Sequence, residues 1–304
     1  MWLPLFVRVA TTYDGYASAV AGTGGAMADQ RLDGARREPI FNLPGSVIFC
    51  ILLLAAIHLA RVYLLDDEGD AALLRLLAFT PGQFTYGFDP DAIAAELTRL
   101  AREGVVSRLE VAQYFLGDGV QFWTPLSYGL LHADWTHLGV NCLWLAAFGA
   151  PVATRFGAGR FFGLMVLTAA FGALAHFLAR PVDLTPVIGA SGAVSGVMGA
   201  AVRFVFRPGA PLGPALYEPL PPGVSVRLPA LGIWESLRDK RVLQFTAIWF
   251  VINLVIGLLA APLGIVESGI AWEAHAGGFL AGFLLFQMLD PIRPALPGVG
   301  SAPS

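Results

Sequence analysis

Six stretches of this chain are each apolar over about the length that crosses a bilayer: roughly residues 46–65, 137–155, 161–179, 191–206, 242–261 and 272–289. The hydrocarbon core of a bilayer takes about 20 apolar residues of helix. In that core every backbone polar group must be satisfied inside its own segment, so such runs become helices. This limits the fold class to an all-α, polytopic membrane helix bundle with six transmembrane helices. Composition agrees, with 56% hydrophobic and 13% charged residues and a mean hydropathy of +0.66. A soluble domain carries about a quarter charged residues. The net charge is −3 and no basic block points to a nucleic-acid partner. Cys50 and Cys142 both fall inside expected spans, which leaves no disulfide framework. No ligand spacing suggests a metal or another cofactor. The lipid bilayer is the one partner that composition requires, and the oligomeric state is not legible.

Three regions follow in chain order. Residues 1–40 read as a cytoplasmic N-terminal tail, with Met27 as a possible true start. Arg8 and Asp14 interrupt its short apolar opening, which argues against a signal peptide. Residues 41–290 read as the six-helix membrane domain, and 291–304 as a short cytoplasmic tail. His58 and Arg61, near the far end of the first span, are expected to snorkel or to pack. The long polar segment 66–122 contains a helix start at Asp89-Pro90-Asp91. Ile93, Leu97 and Leu100 then share one face, which predicts an amphipathic interfacial helix to Arg102. Segments 27–40, 156–160, 203–241 and 290–304 hold most basic residues, whereas 66–136 holds four arginines against eleven acids. The positive-inside rule then puts both termini in the cytoplasm, with a bacterial inner (plasma) membrane as the expected location. Spans 2, 4 and 6 all run inward from the outer side. His137 and Asn141 begin the second, Ser191 the fourth and His275 the sixth, so these polar groups share one depth.

That depth carries chemistry. In Gly189-Ala190-Ser191-Gly192, a serine stands at the mouth of a span whose Gly192, Gly196 and Gly199 recur at helical spacing. Such a face lets another helix approach closely. On this stretch alone, a packing seam with an incidental serine is an equal alternative. A serine hydroxyl becomes a nucleophile beside a neutral imidazole, and His275 is followed by Gly278 and Gly282 on its own face. Glu273 projects from another part of that helix, so a Ser191/His275 dyad is the reading. His137 and Asn141, at i and i+4, share a helix face. They can donate to a developing oxyanion, with the free Ser191 N–H as a third donor; helix-to-helix polar glue is the alternative. His132 is expected to support the loop that leads into the second span. His176, with no matching partner, and Ser195 are expected to pack or cap. The soluble-hydrolase elbow Gly-x-Ser-x-Gly is not met, because position 193 is Ala.

Taken together these residues resemble the rhomboid family of intramembrane serine proteases. Gly189-Ala190-Ser191-Gly192 is similar to its nucleophile motif. His132, His137 and Asn141 fit its His-x4-His-x3-Asn signature, and Ala274-His275-x-x-Gly278-x-x-x-Gly282 fits its last-helix motif. The resemblance covers about residues 120–290. It implies a catalytic Ser191/His275 dyad, an oxyanion site from His137 and Asn141, supporting roles for His132, Gly189, Gly192 and Gly278, no cofactor, and other membrane proteins as substrates. Two positions depart from the family pattern. Trp123-Thr124 stands where the family has Trp-Arg, which removes the arginine contacts of the first loop. Ser195 stands where many bacterial members carry a tyrosine that stacks on the histidine, so the imidazole must be oriented from elsewhere. A catalytically silent membrane-protein binding or quality-control factor on the same scaffold is the competing function.

Overall fold

The computed structural model describes residues 43–104, 106–117, 119–207, 210, 212, 229–259 and 270–292. The expected N-terminal tail, most of the Pro-rich segment 207–240, the end of the fifth span at 260–261 and the chain beyond 292 lie outside the described residues. Among those described, all regular structure is helical apart from one isolated bridge between Phe79 and Val187. The helices used below are α1 (Gly45–Leu64), α2 (Asp67–Leu77), α3 (Pro81–Tyr86), α4 (Pro90–Arg102), α5 (Val106–Leu116), α6 (Trp135–Phe156), α7 (Ala158–Ala179), α8 (Ser191–Ala201), α9 (Lys240–Leu259) and α10 (Trp272–Leu289). Of these, α1, α6, α7 and α9 are long and apolar enough to cross a membrane. The protein is an all-α polytopic membrane bundle.

Its centre is α8, whose residues Gly192 to Ala201 are all buried. The helix can sit there because it is nearly bare. A Cβ on Gly278 of α10 would run into the backbone oxygen of Gly192, and one on Gly282 would meet that of Gly196. Small residues thus bring α8 and α10 to backbone contact. Around this seam α1, α6, α7 and α8 share one apolar core with α10, built on Val47, Leu145, Phe161, Val197 and Phe286. Within α6, residues Leu145–Gly149 widen to a π turn. Pro151, which has no N–H to continue the ladder, explains the widening.

The fourth span is shorter than its apolar run suggests. Helix α8 stops at Ala201, and the chain reaches Phe206 through tight turns such as Phe204 N–H to Ala201 O. The cause is Arg203, fully buried, which donates to the carbonyls of Leu231 and Phe283 and lies over the Phe283 ring at 4.9 Å. Eleven residues of helix rise only about 16 Å, roughly half of a bilayer core.

By contrast, α9 lies at the edge. Only 6% of its apolar window is buried, and Ile248, Val251, Ile252 and Val255 point outward. Its register against α10 comes from Trp249 stacked on Phe279, with ring centroids 4.6 Å apart.

The polar segment 66–122 folds into four helices, of which the sequence reading found only α4. Asp89 caps α4 by accepting from Ala92 N–H at 3.1 Å. The apolar face of α4 is not left for lipid. Ile93 and Leu100 pack with Ala112 of α5 and with Leu184, because α5 folds back across it. Arg61 does not snorkel either. It grips Asp70 through two bonds of 2.6 and 2.9 Å and donates to the His132 carbonyl at 2.7 Å. This strut, with Trp123 Nε1 to Leu76 O at 2.7 Å and Ser127 Oγ to Leu77 O at 2.8 Å, fastens the first loop without an arginine at position 124. Thr124 is itself buried and bonds Gln121 O at 2.8 Å.

Candidate active site

Ser191 is the first residue of α8, and the approach to it is fixed by backbone bonds. Gly189 N–H donates to Tyr128 O at 3.0 Å, and Ala190 N–H to His132 Nε2 at 3.4 Å. His132 is fully buried, and burial, followed by the neighbouring His137, pushes its imidazole down to about 3. It therefore stays neutral and can accept from Ala190. Gly189 has φ +124°, a conformation that favours glycine. A Cβ there would also meet the His137 ring at 2.7 Å. The glycine thus makes room for an imidazole beside the serine.

Across the seam, Ser191 Oγ lies 2.7 Å from His275 Nε2. Both residues are half-buried. The close contact of Gly192, next to the serine, with Gly278, one turn beyond the histidine, sets this distance. The Ser191 N–H is at the first turn of α8, where no intrahelical acceptor exists.

His137 begins α6, whose N-cap Asp134 accepts from His137 N–H at 2.8 Å. Its Nδ1 accepts a long bond from Ala133 N–H at 3.4 Å, which assigns the ring proton to Nε2, the nitrogen beside Gly189. Asn141, buried, donates one amide hydrogen to His137 O at 2.9 Å. The second amide hydrogen has no such engagement within its own helix. His137, Asn141, Ser191 and His275, expected at one depth, lie in the N-terminal parts of α6, α8 and α10, and His132 lies in the loop before α6.

Two expectations need correction or addition. His176 is buried with its Nδ1 3.4 Å from Glu273 Oε2. The same carboxylate accepts from Arg180 Nε at 2.5 Å. The addition is Asn253 of α9, whose Oδ1 lies 2.7 Å from His275 Nδ1. Sequence reasoning passed over it inside the fifth span. The available signal was an amide in the middle of an apolar run, since intramembrane polar groups mark functional sites.

The described residues contain no cluster of three His, Cys, Asp or Glu side chains suited to a metal. What the arrangement can do is transfer a proton from a hydroxyl to an imidazole, next to N–H donors.

Comparison with known proteins bears on the same residues. The chain is 26% identical over 166 residues to "Rhomboid protease GlpG" of Serratia proteamaculans, covering 55% of this chain and 48% of that protein. It is 31% identical over 191 residues to "RHOMBOID-like protein 4" of Arabidopsis thaliana, covering 61% and 38% respectively. It is 43% identical over 72 residues to "Rhomboid protein 1, mitochondrial" of Saccharomyces cerevisiae, covering 22% and 21%. The chain spans less than half the length of each of these relatives. The rhomboid domain family matches residues 119–290, more than half of the 304 residues and the whole of the site just described, and the chain therefore belongs to the rhomboid family.

Proposed function

We propose that the protein is an intramembrane serine endopeptidase that cleaves transmembrane or juxtamembrane segments of other membrane proteins. The observation that carries this reading is the 2.7 Å contact of Ser191 Oγ with His275 Nε2. Such a hydrogen bond lets the imidazole take the hydroxyl proton as the oxygen attacks. Ser191 Oγ bonds to the scissile carbonyl carbon while its proton passes to His275 Nε2. The oxyanion formed accepts from His137 Nε2–H, from the second Asn141 amide hydrogen and from Ser191 N–H. The C–N bond then breaks, and His275 returns the proton to the leaving amine. Water attacks the resulting ester and gives a proton to His275. The Ser191–carbonyl bond breaks, and the proton goes back to Ser191 Oγ. No cofactor enters these steps. The membrane domain runs from about residue 41 to 290, and both termini face the cytoplasm. The dyad then lies toward the outer side, and the short α8 sets it below the membrane surface.

Purified protein and its Ser191→Ala and His275→Ala variants test the reading against an alkyl fluorophosphonate and a cleavable membrane substrate. Wild type should label and cleave, while each single variant and the double variant should be about equally dead, because the pair acts as a unit. Cleavage at the wild-type rate by Ser191→Ala would sink it. A folded wild type that neither labels nor cleaves would favour a binding role.

A further inference from the structure

A base that shuttles protons must be held in one tautomer, and nothing in the α8 sequence does this for His275, since position 195 is a serine. We infer that Asn253 of α9 is the positioning residue of the base, so that the site is a relay of Ser191, His275 and Asn253 carried by three helices. The inference rests on the serine protease reading and adds to it a group that neither composition nor motif supplies.

The geometry fixes every hydrogen in the chain. Asn253 Nδ2 donates to Trp249 O at 2.8 Å, one turn back on the same helix. That bond turns the amide so that Oδ1, which can only accept, faces His275 Nδ1 at 2.7 Å. The Nδ1 nitrogen must then carry the ring proton. Nε2 is left bare and points at Ser191 Oγ at 2.7 Å, where it can only accept. The neutral imidazole is locked in the one tautomer that can deprotonate the serine. After proton transfer, the imidazolium still donates from Nδ1 to Oδ1. An amide oxygen stabilises it by hydrogen bonding without adding a charge to an apolar bundle.

Other side chains that could orient the ring are occupied. Glu273 is held by Arg180 at 2.5 Å. The two helices are also in register for the pair. Trp249 stacks on Phe279 one turn deeper, four residues from Asn253 and four from His275. On the other side of the pair, Gly257 leaves room for Trp272, whose Cβ an added methyl would meet at 2.8 Å. The acceptor therefore stays opposite His275 only while α9 is seated on α10. The helix that is least covered of the four candidate membrane spans holds the proton acceptor in order.

The test uses the full chain in detergent, an alkyl fluorophosphonate as the probe, and the variants Asn253→Ala, Asn253→Leu and Asn253→Asp beside Ser191→Ala. Limiting labelling rate, half-saturating probe concentration, pH profile and melting temperature are read for each. Asn253→Ala and Asn253→Leu should lower the limiting rate about 10- to 100-fold, with half-saturation unchanged within about twofold. Asn253→Asp should recover most of that rate at alkaline pH. Its carboxylate favours the imidazolium, so its acidic limb should move up by about one pH unit or more. Should the alanine variant fail to fold, the leucine and aspartate variants carry the comparison. A rate within twofold of wild type in Asn253→Leu overturns the inference while leaving the dyad intact. So does an Asn253→Asp variant as slow as Asn253→Leu with its limb unmoved, since a packing role alone would do that. Labelling that survives Ser191→Ala overturns the protease reading itself.

Discussion

At the residue scale, the candidate site separates donors from acceptors before any substrate arrives. His137 carries its proton on Nε2 because Nδ1 accepts from Ala133, and His275 leaves Nε2 bare because Nδ1 faces Asn253. Two histidines of the same chemistry are thereby set to opposite tasks, one to donate and one to accept. Asn141 spends one hydrogen on His137 O and keeps the other. Asn141→Ala should therefore slow turnover without abolishing it. The loss of one oxyanion donor costs about 10²–10³ in kcat, and two other donors remain. Steady-state kinetics on a cleavable substrate would check this. An unchanged kcat would leave Asn141 as a packing amide that ties down the first turn of α6.

At the scale of elements, the distance between Ser191 and His275 is a property of the α8/α10 seam. Gly278 and Gly282 meet the backbones of Gly192 and Gly196, and Gly199 meets that of Phe279; a backbone cannot swing aside as a side chain can. Gly282→Val should therefore cost at least the 1–3 kcal/mol that overpacking usually brings. It should also slow labelling of Ser191 by prising the two helices apart. Gly163→Ala is the control, since a Cβ there meets nothing within 4 Å and alanine favours the helix. Thermal unfolding in detergent and labelling rate should move together in the first variant and stay near wild type in the second. A Gly282→Val variant as stable and as fast as wild type would mean that the seam is loose. The first loop has its own anchor. Arg61 and Asp70 tie the end of α1 to the carbonyl of His132, so a rigid approach to the serine survives the loss of the family's arginine at position 124.

At the scale of the whole molecule, the short central helix decides what a substrate must be. Helix α8 rises about 16 Å, less than the 22 residues each of α6 and α7, and the proposed function puts its first residue below the outer surface. A peptide must bring its carbonyl to that depth, yet in a firm helix every carbonyl there is already paired. The protein should accept segments that unwind at modest cost, and Gly or Pro near the cut lowers it. The cut should fall near the outer face, after a small residue such as Ala, with helix breakers a few residues downstream. Replacing those breakers with Leu should suppress cleavage even with the scissile residue unchanged. Mass spectrometry of the products checks this; equal cleavage of the leucine variant, or a cut in the cytoplasmic half, would refute the depth assigned to the dyad.

The sequence by itself determined the class of the fold, since apolar runs of that length have only helices open to them in lipid. It also determined the composition of the candidate site's inner part, because a Ser, a His, a His/Asn pair and a stripe of glycines are local patterns at helical spacing. The limits of α1, α4, α6 and α10 were legible within a few residues for the same reason: caps and hydrophobic runs are local. Only the tertiary structure decided where α8 ends, because a buried Arg203 finds its acceptors on residues 28 and 80 positions away. Only it supplied Asn253, whose partner lies on another helix at a separation that no periodicity encodes. The helices α2, α3 and α5 escaped for a related reason. They are short and mixed in composition, and their order comes from packing on one another and on the loop at Leu184 rather than from their own patterns.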